Sequence, residues 1–145
     1  MSSLKRKILL VTNDLGPRAG GIESFVLGLL ERVEPNSVVI LTSKQKNSEP
    51  FDQELLNKYG AEVIRDRSKI LLPTPRTTRK AIKILKKYHA TTVWFGAAAP
   101  LALMAKGLRK AGAANIVALT HGHEVWWAKL PVFRNAIAKI SRDVD

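Results

Sequence analysis

At 145 residues the chain suits a single domain, and its 46% hydrophobic content is that of a folded globular protein rather than a disordered one. It contains no cysteine, which excludes disulfide scaffolds, thiolate zinc sites and thiol nucleophiles, and 24 Lys and Arg against 12 Asp and Glu give a formal charge of +12. That excess predicts anionic partners, of which nucleic acid, anionic lipid and phosphorylated substrate are all admissible.

No apolar run reaches the roughly 20 residues needed to cross a bilayer. The opening MSSLKRK is not followed by the long apolar core of a signal peptide, so a cytoplasmic chain is expected. Residues 8–11, ILLV, read as a first buried strand. The chain then passes through a loop holding Asn13, Asp14, Gly16, Pro17, Arg18, Gly20 and Gly21 before Ile22, Phe25, Val26, Leu29 and Leu30 recur at helical spacing. A helix start directly after a strand leaves free N–H groups that suit an anion such as phosphate, and the two glycines allow close approach. Gly20 and Gly21 are equally explained as the makers of a turn. The loop lacks the glycine spacing of the dinucleotide fingerprint and the Gly-Lys-Ser/Thr of a Walker loop, so neither nicotinamide or flavin binding nor P-loop ATP hydrolysis is expected.

Residues 38–42, VVILT, form a second strand, followed by a polar loop, KQKNSEP. A short helix is predicted over 51–59, stopped by Gly60, with a weaker strand over 62–65 and a proline-marked connection, ILLPTP, over 70–75. Residues 77–88 read as a helix with Ala81, Ile82, Leu85 and Tyr88 inward and lysines outward, and with His89 at its dipole-favoured C-terminal end. Strand four is predicted over 92–95, followed by Gly96, Ala97 and their small neighbours, then a helix through Lys110 that ends at Gly112. A fifth strand over 115–120 runs into His121, His123 and Glu124, and a last helix begins near Val132. Strands alternating with helices predict a doubly wound, Rossmann-like parallel sheet of order 3-2-1-4-5. Ligands of such sheets bind beyond the carboxyl ends of the strands where the order reverses. The loops after strands one, four and five are therefore expected to share a cleft.

The charge is concentrated between 65 and 87, where nine basic residues accompany one acid, Asp66. Arg76, Arg79, Lys80, Lys83, Lys86 and Lys87 give the predicted helix a basic face. That is either a solvated surface or a patch for anionic membrane, worth about 1 kcal/mol per cation near anionic lipid. His121 and His123 lie two apart and share a side if the strand persists. A metal site would need a further ligand, which Glu124 or Asp14 could donate; the third histidine, His89, is expected on the opposite rim, and no metal is expected. No G-x-S-x-G elbow accompanies them. Hydrogen bonding to a sugar hydroxyl or to a developing charge is the remaining functional role, and a bond to neighbouring loop backbone is the structural one.

Taken together, VTNDLGPRAGGIES, LLPTP, VWFGAAAPLALMA and THGHEVWWAKLP resemble the N-terminal half of family 4 retaining glycosyltransferases of the GT-B fold, in particular the bacterial phosphatidylinositol monomannoside mannosyltransferases that use GDP-mannose. The resemblance implies two Rossmann-like domains, of which the N-terminal one holds the acceptor and the C-terminal one the sugar nucleotide. It implies that the chain is a truncated N-terminal piece without a donor domain and inactive alone. It further implies that Gly20 and Gly21 approach donor phosphate and acceptor, that Arg18 meets a lipid phosphate, and that Asn13 and Asp14 touch acceptor hydroxyls. His121 or His123 would contact the donor sugar. The chain departs from that pattern at Gly16-Pro17, where relatives carry two prolines, and at Trp126, often glycine. The implied reaction is retaining transfer of mannose from GDP-mannose, as co-substrate and with no cofactor or metal, to an anionic glycolipid acceptor at the cytoplasmic membrane surface. The reading set against it is a non-catalytic basic module that binds anionic membrane or nucleic acid through residues 65–87. Nucleic acid is the less expected partner, because such a module leaves the glycine loop and HGHE without a role.

Overall fold

The computed structural model describes residues 6–13, 15–16, 21–96, 100–119 and 142–145. Five strands among them, β1 (Ile8–Thr12), β2 (Val38–Thr42), β3 (Glu62–Arg65), β4 (Thr92–Phe95) and β5 (Asn115–Ala118), form one sheet in the order β3-β2-β1-β4-β5. Every neighbouring pair is parallel, with Ile8 opposite both Val38 and Thr92. This is the doubly wound α/β order expected from the alternation of strands and helices.

Among the described residues four helices connect the strands: α1 (Gly21–Arg32), α2 (Glu49–Tyr59), α3 (Pro75–Lys87) and α4 (Ala105–Lys110), the last preceded by a 3-10 turn over Leu101–Met104. Strand side chains alternate between two faces, and each face has its own core. Leu10, Val38 and Ile40 pack with Val26 and Leu30 of α1 and Leu55 of α2. Leu9, Val11, Val39, Leu41, Val93, Phe95 and Ile116 pack with Ala81, Ile84, Leu85 and Tyr88 of α3 and Leu108 of α4. All five residues of β2 are buried, as a strand covered on both faces requires.

Helix ends differ from the sequence expectation for identifiable reasons. Pro50 and Pro75 each fall in the first turn of a helix, where a missing N–H costs nothing, so α2 and α3 begin two residues earlier than expected. Thr74 caps α3 by accepting from the Thr77 N–H at 3.2 Å. Ile84 is buried in α3 and Ile82 only partly. His89 takes a positive φ of 56°. Its N–H bonds to the Lys86 carbonyl while that of Ala90 bonds to Leu85, so His89 closes α3 through its backbone in the manner of a Schellman motif. β5 ends at Ala118, short of the expected Thr120, and the helix expected from Val132 lies outside the described residues.

Gly96 leaves β4 against Thr12. A Cβ on Gly96 would stand 2.5 Å from the Thr12 hydroxyl oxygen and 2.7 Å from its Cβ, and Thr12 is fully buried. Gly96→Ala should therefore cost about 2 kcal/mol of stability through overpacking, measured as a shift in urea midpoint.

Candidate functional site

In a parallel sheet every strand delivers its following loop to one edge, and here that edge carries most of the buried polar contacts. Asn13, one residue past β1, uses its side-chain amide twice on Leu71: Nδ2 donates to the Leu71 carbonyl at 3.0 Å and Oδ1 accepts the Leu71 N–H at 2.7 Å. The loop after β1 is thereby fixed to the connection between β3 and α3. The loops after β2 and β3 are joined in turn by the Lys44 N–H donating to the Ser68 carbonyl at 2.8 Å.

Two acid-base clusters brace this edge. Arg65, at the end of β3, donates to both carboxylate oxygens of Asp52 on α2, each at 2.8 Å, to the Ser43 carbonyl at 3.0 Å and to the Gly16 carbonyl at 2.6 Å. Asp66 is 2% exposed and accepts from Lys80 at 2.8 Å, Arg76 at 3.1 Å and the Ser68 N–H at 3.1 Å. Burial pushes its pKa upward, but the hydrogen bonds from Lys80, Arg76 and Ser68 outweigh that and hold the carboxyl well below the usual carboxylate range.

Between these loops opens a cleft of about 630 Å³ lined by Asn13, Ser43, Lys44, Gln45, Lys46, Lys69 and Ile70. Among the described residues three ammonium groups and no carboxylate line it, which suits an anion. Asn13 and Ser43 place polar groups beside the lysines, and Ile70 supplies an apolar wall.

The structure brings only part of the sequence-predicted set to this place. Asn13 is in the cleft wall, while Gly21 starts α1 and Gly96 follows β4, with α1 and Gly96 flanking β1 at the same edge of the sheet. Asp14, Arg18, Gly20, Ala97, His121, His123 and Glu124 lie outside the described residues. Of the basic helix, Arg79, Lys83, Lys86 and Lys87 are exposed, whereas Arg76 and Lys80 are ion-paired to Asp66. His89 lies by the opposite rim, where Tyr88 and Thr91 bond to Arg6 and Lys7 before β1. Among the described residues no three His, Asp or Glu side chains gather as a metal site.

Sequence reasoning placed the cleft among the loops after strands one, four and five. It did not include Ser43, Lys44, Gln45, Lys46, Lys69 and Ile70. The available signal was the same topological rule: strands two and three also end at this edge, and their loops carry lysines.

No protein-family model matches the chain. It is 43% identical over 143 residues, 99% of its length, to the GDP-mannose-dependent monoacylated alpha-(1-6)-phosphatidylinositol monomannoside mannosyltransferase of Corynebacterium glutamicum. It is 42% identical over 139 residues, 95% of its length, to the GDP-mannose-dependent alpha-(1-6)-phosphatidylinositol monomannoside mannosyltransferase of Mycolicibacterium smegmatis. To the Mycobacterium tuberculosis protein of that name it is 39% identical over 142 residues. The chain spans 36% to 37% of the length of these relatives. In sequence, then, it is a relative, along nearly its whole length, of one segment of the GDP-mannose-dependent phosphatidylinositol monomannoside mannosyltransferases.

Proposed function

We propose that this chain is the acceptor-side, Rossmann-like part of a two-domain retaining mannosyltransferase of GT-B architecture, which moves mannose from GDP-mannose to a phosphatidylinositol mannoside-type lipid. The observation that carries this reading is sequence identity of about two residues in five, over nearly the whole chain, to enzymes whose names give that donor and that acceptor. The cleft supports it: lysine walls suit the phosphate of an inositol lipid, and Asn13 and Ser43 can hydrogen-bond ring hydroxyls. The donor is held by a second domain outside this segment.

Transfer with retention breaks the bond between the sugar C1 and the donor phosphate oxygen and forms the bond from C1 to the acceptor oxygen on the same face. The acceptor proton goes to the departing phosphate. No protein nucleophile and no metal take part, and the protein's work is positioning and charge stabilisation. His121 or His123 supplies a hydrogen bond to the sugar. The exposed cations of α3, Arg79, Lys83, Lys86 and Lys87, hold the enzyme at the anionic cytoplasmic leaflet. No helix among the described residues is long and apolar enough to cross a membrane.

The test joins this segment to its natural C-terminal remainder and offers a panel of sugar nucleotides with phosphoinositide acceptors. Transfer of mannose from GDP-mannose is expected, and His121→Ala or His123→Ala should lower it by roughly 100-fold, the scale of losing one positioned donor to a developing charge. Full activity in both variants removes the histidines from the chemistry. Failure to transfer any sugar to any inositol lipid overturns the reading.

A further inference from the structure

Beside the start of β5, a second charged hollow is built from two stretches of chain. α4 supplies Lys106, Arg109 and Lys110, and residues 142–145 return to supply Arg142 and Asp143; together they line a cavity of about 220 Å³. Residues three and four apart share a helix face, so the three cations of α4 present like charges to one another, which destabilises a helix that gains nothing else from them.

The fold itself uses one of these cations. Arg109 pairs with Asp145 at 3.0 Å and donates to the carbonyls of Ala114 and Asp143, each at 3.3 Å. Asp145 in turn exchanges two hydrogen bonds with Ile116 of β5: its N–H donates to the Ile116 carbonyl at 2.7 Å, and its carboxylate accepts the Ile116 N–H at 2.8 Å. These contacts fix the segment carrying Arg142 and Asp143 against α4. Lys106, Lys110 and Arg142 are exposed, and among the described residues no carboxylate stands within ion-pair distance of any of them. Asp143 is only partly exposed, and its Oδ2 is buried without a hydrogen-bond partner. A buried acceptor left unmade is a cost to the fold. The hollow thus holds three unused cations and one unused acceptor.

We propose that this hollow binds a small soluble phosphate monoester that also carries a hydroxyl. Three unpaired cations against the Asp143 carboxylate leave two positive charges, and a phosphate monoester brings close to two negative ones at neutral pH. Its oxygens accept from Lys106, Lys110 and Arg142 in charge-assisted hydrogen bonds, the strong kind. Its hydroxyl donates to the Asp143 oxygen that otherwise has no donor. The cavity is smaller than the roughly 300 Å³ at which pockets for drug-sized ligands begin, which limits the ligand to a phosphate on a short carbon skeleton. None of the exposed large hydrophobic side chains, Leu56, Ile70, Leu72 and Val117, lines it, so lipid chains have nothing to rest on. Bound there, the ester bridges α4 and the 142–145 segment and tightens the cover on Ile116. That is the place of an effector rather than a substrate, because the lysine cleft lies beyond the other ends of the strands.

Titration of the isotopically labelled chain with glycerol 3-phosphate, followed by amide NMR shifts, tells the two hollows apart. Shifts should gather at 106–110 and 142–145; their absence there, or shifts confined to 43–46 and 69, overturns the proposal. Lys106→Gln/Lys110→Gln should weaken binding about tenfold, with Arg109 left in place because it holds Asp145. Both lysines are exposed, so folding should persist, and thermal unfolding without ligand checks it. Wild-type affinity in that variant overturns the site. Methyl phosphate, which has no hydroxyl, should bind wild type more weakly than glycerol 3-phosphate does, and the two should bind Asp143→Ala alike. A preference that survives Asp143→Ala overturns the part given to Asp143. Duplex DNA that binds more tightly than glycerol 3-phosphate at equal phosphate concentration, and loses this in the lysine variant, would make the cluster a nucleic-acid surface instead. None of these readouts involves sugar transfer, so they stand or fall apart from the function proposed above.

Discussion

Arg65→Ala should destabilise the protein by about 3 kcal/mol, the low end of the cost of removing one member of a largely buried ion pair. The measurement is urea unfolding, with the midpoint lowered and the slope unchanged. Arg65 and Asp52 side chains are 11% and 22% exposed, so water replaces the lost partner poorly. The variant strands a carboxylate and also withdraws donors from the carbonyls of Ser43 and Gly16. Those contacts tie α2, the end of β2 and the loop after β1 into one block, so the glycine loop should loosen together with the fold. Arg65→Lys should recover only part of the loss, because a single ammonium cannot reproduce the fork that reaches four acceptors. A double-mutant cycle with Asp52→Ala separates the pair from the carbonyl contacts. A cost below about 1 kcal/mol would place the pair in the class of ordinary surface ion pairs.

The backbone architecture was open to reading because it depends on local pattern. VVILT over Val38–Thr42 and TVWF over Thr92–Phe95 are short β-rich runs bounded by polar or turn residues, and the alternation with helices leaves few topologies to choose from. The contacts that shape the candidate site are of another kind. Asn13 meets Leu71 across 58 positions in the chain, and Arg65 meets Gly16 across 49. No periodicity encodes such pairings; they exist only after the crossovers have brought the strand ends together. The same holds for the charge excess. In the sequence, residues 65–87 form one basic stretch, yet Arg65, Arg76 and Lys80 are paired with Asp52 and Asp66. The cations left for a partner are those of the 67–69 loop and the outer face of α3.

That division of the basic stretch makes Asp66 the residue on which the loop's shape turns, and Asp66→Asn should cost about 2 kcal/mol at neutral pH by leaving Lys80 and Arg76 beside a neutral buried group. The penalty is held below that of Arg65→Ala because Arg76 and Lys80 are 45% and 33% exposed and can turn to water. The pH dependence has a definite sign. The folded-state pKa of Asp66 lies below the unfolded value of about 3.9, so its contribution is complete above that pH and is lost as acid protonates the folded carboxyl. The stability gap between wild type and Asp66→Asn should therefore be widest above about pH 5 and shrink toward pH 2, read by urea unfolding at a series of pH values. Freed from Asp66, Arg76 and Lys80 should also strengthen binding to phosphatidylinositol vesicles at low salt, even as the fold weakens. A gap that stays constant down to about pH 2 would mean that the carboxylate charge is not what holds the two cations, and the loop carrying Lys69, Ile70 and Leu72 would then owe its shape to the Asn13 clamp and the prolines alone.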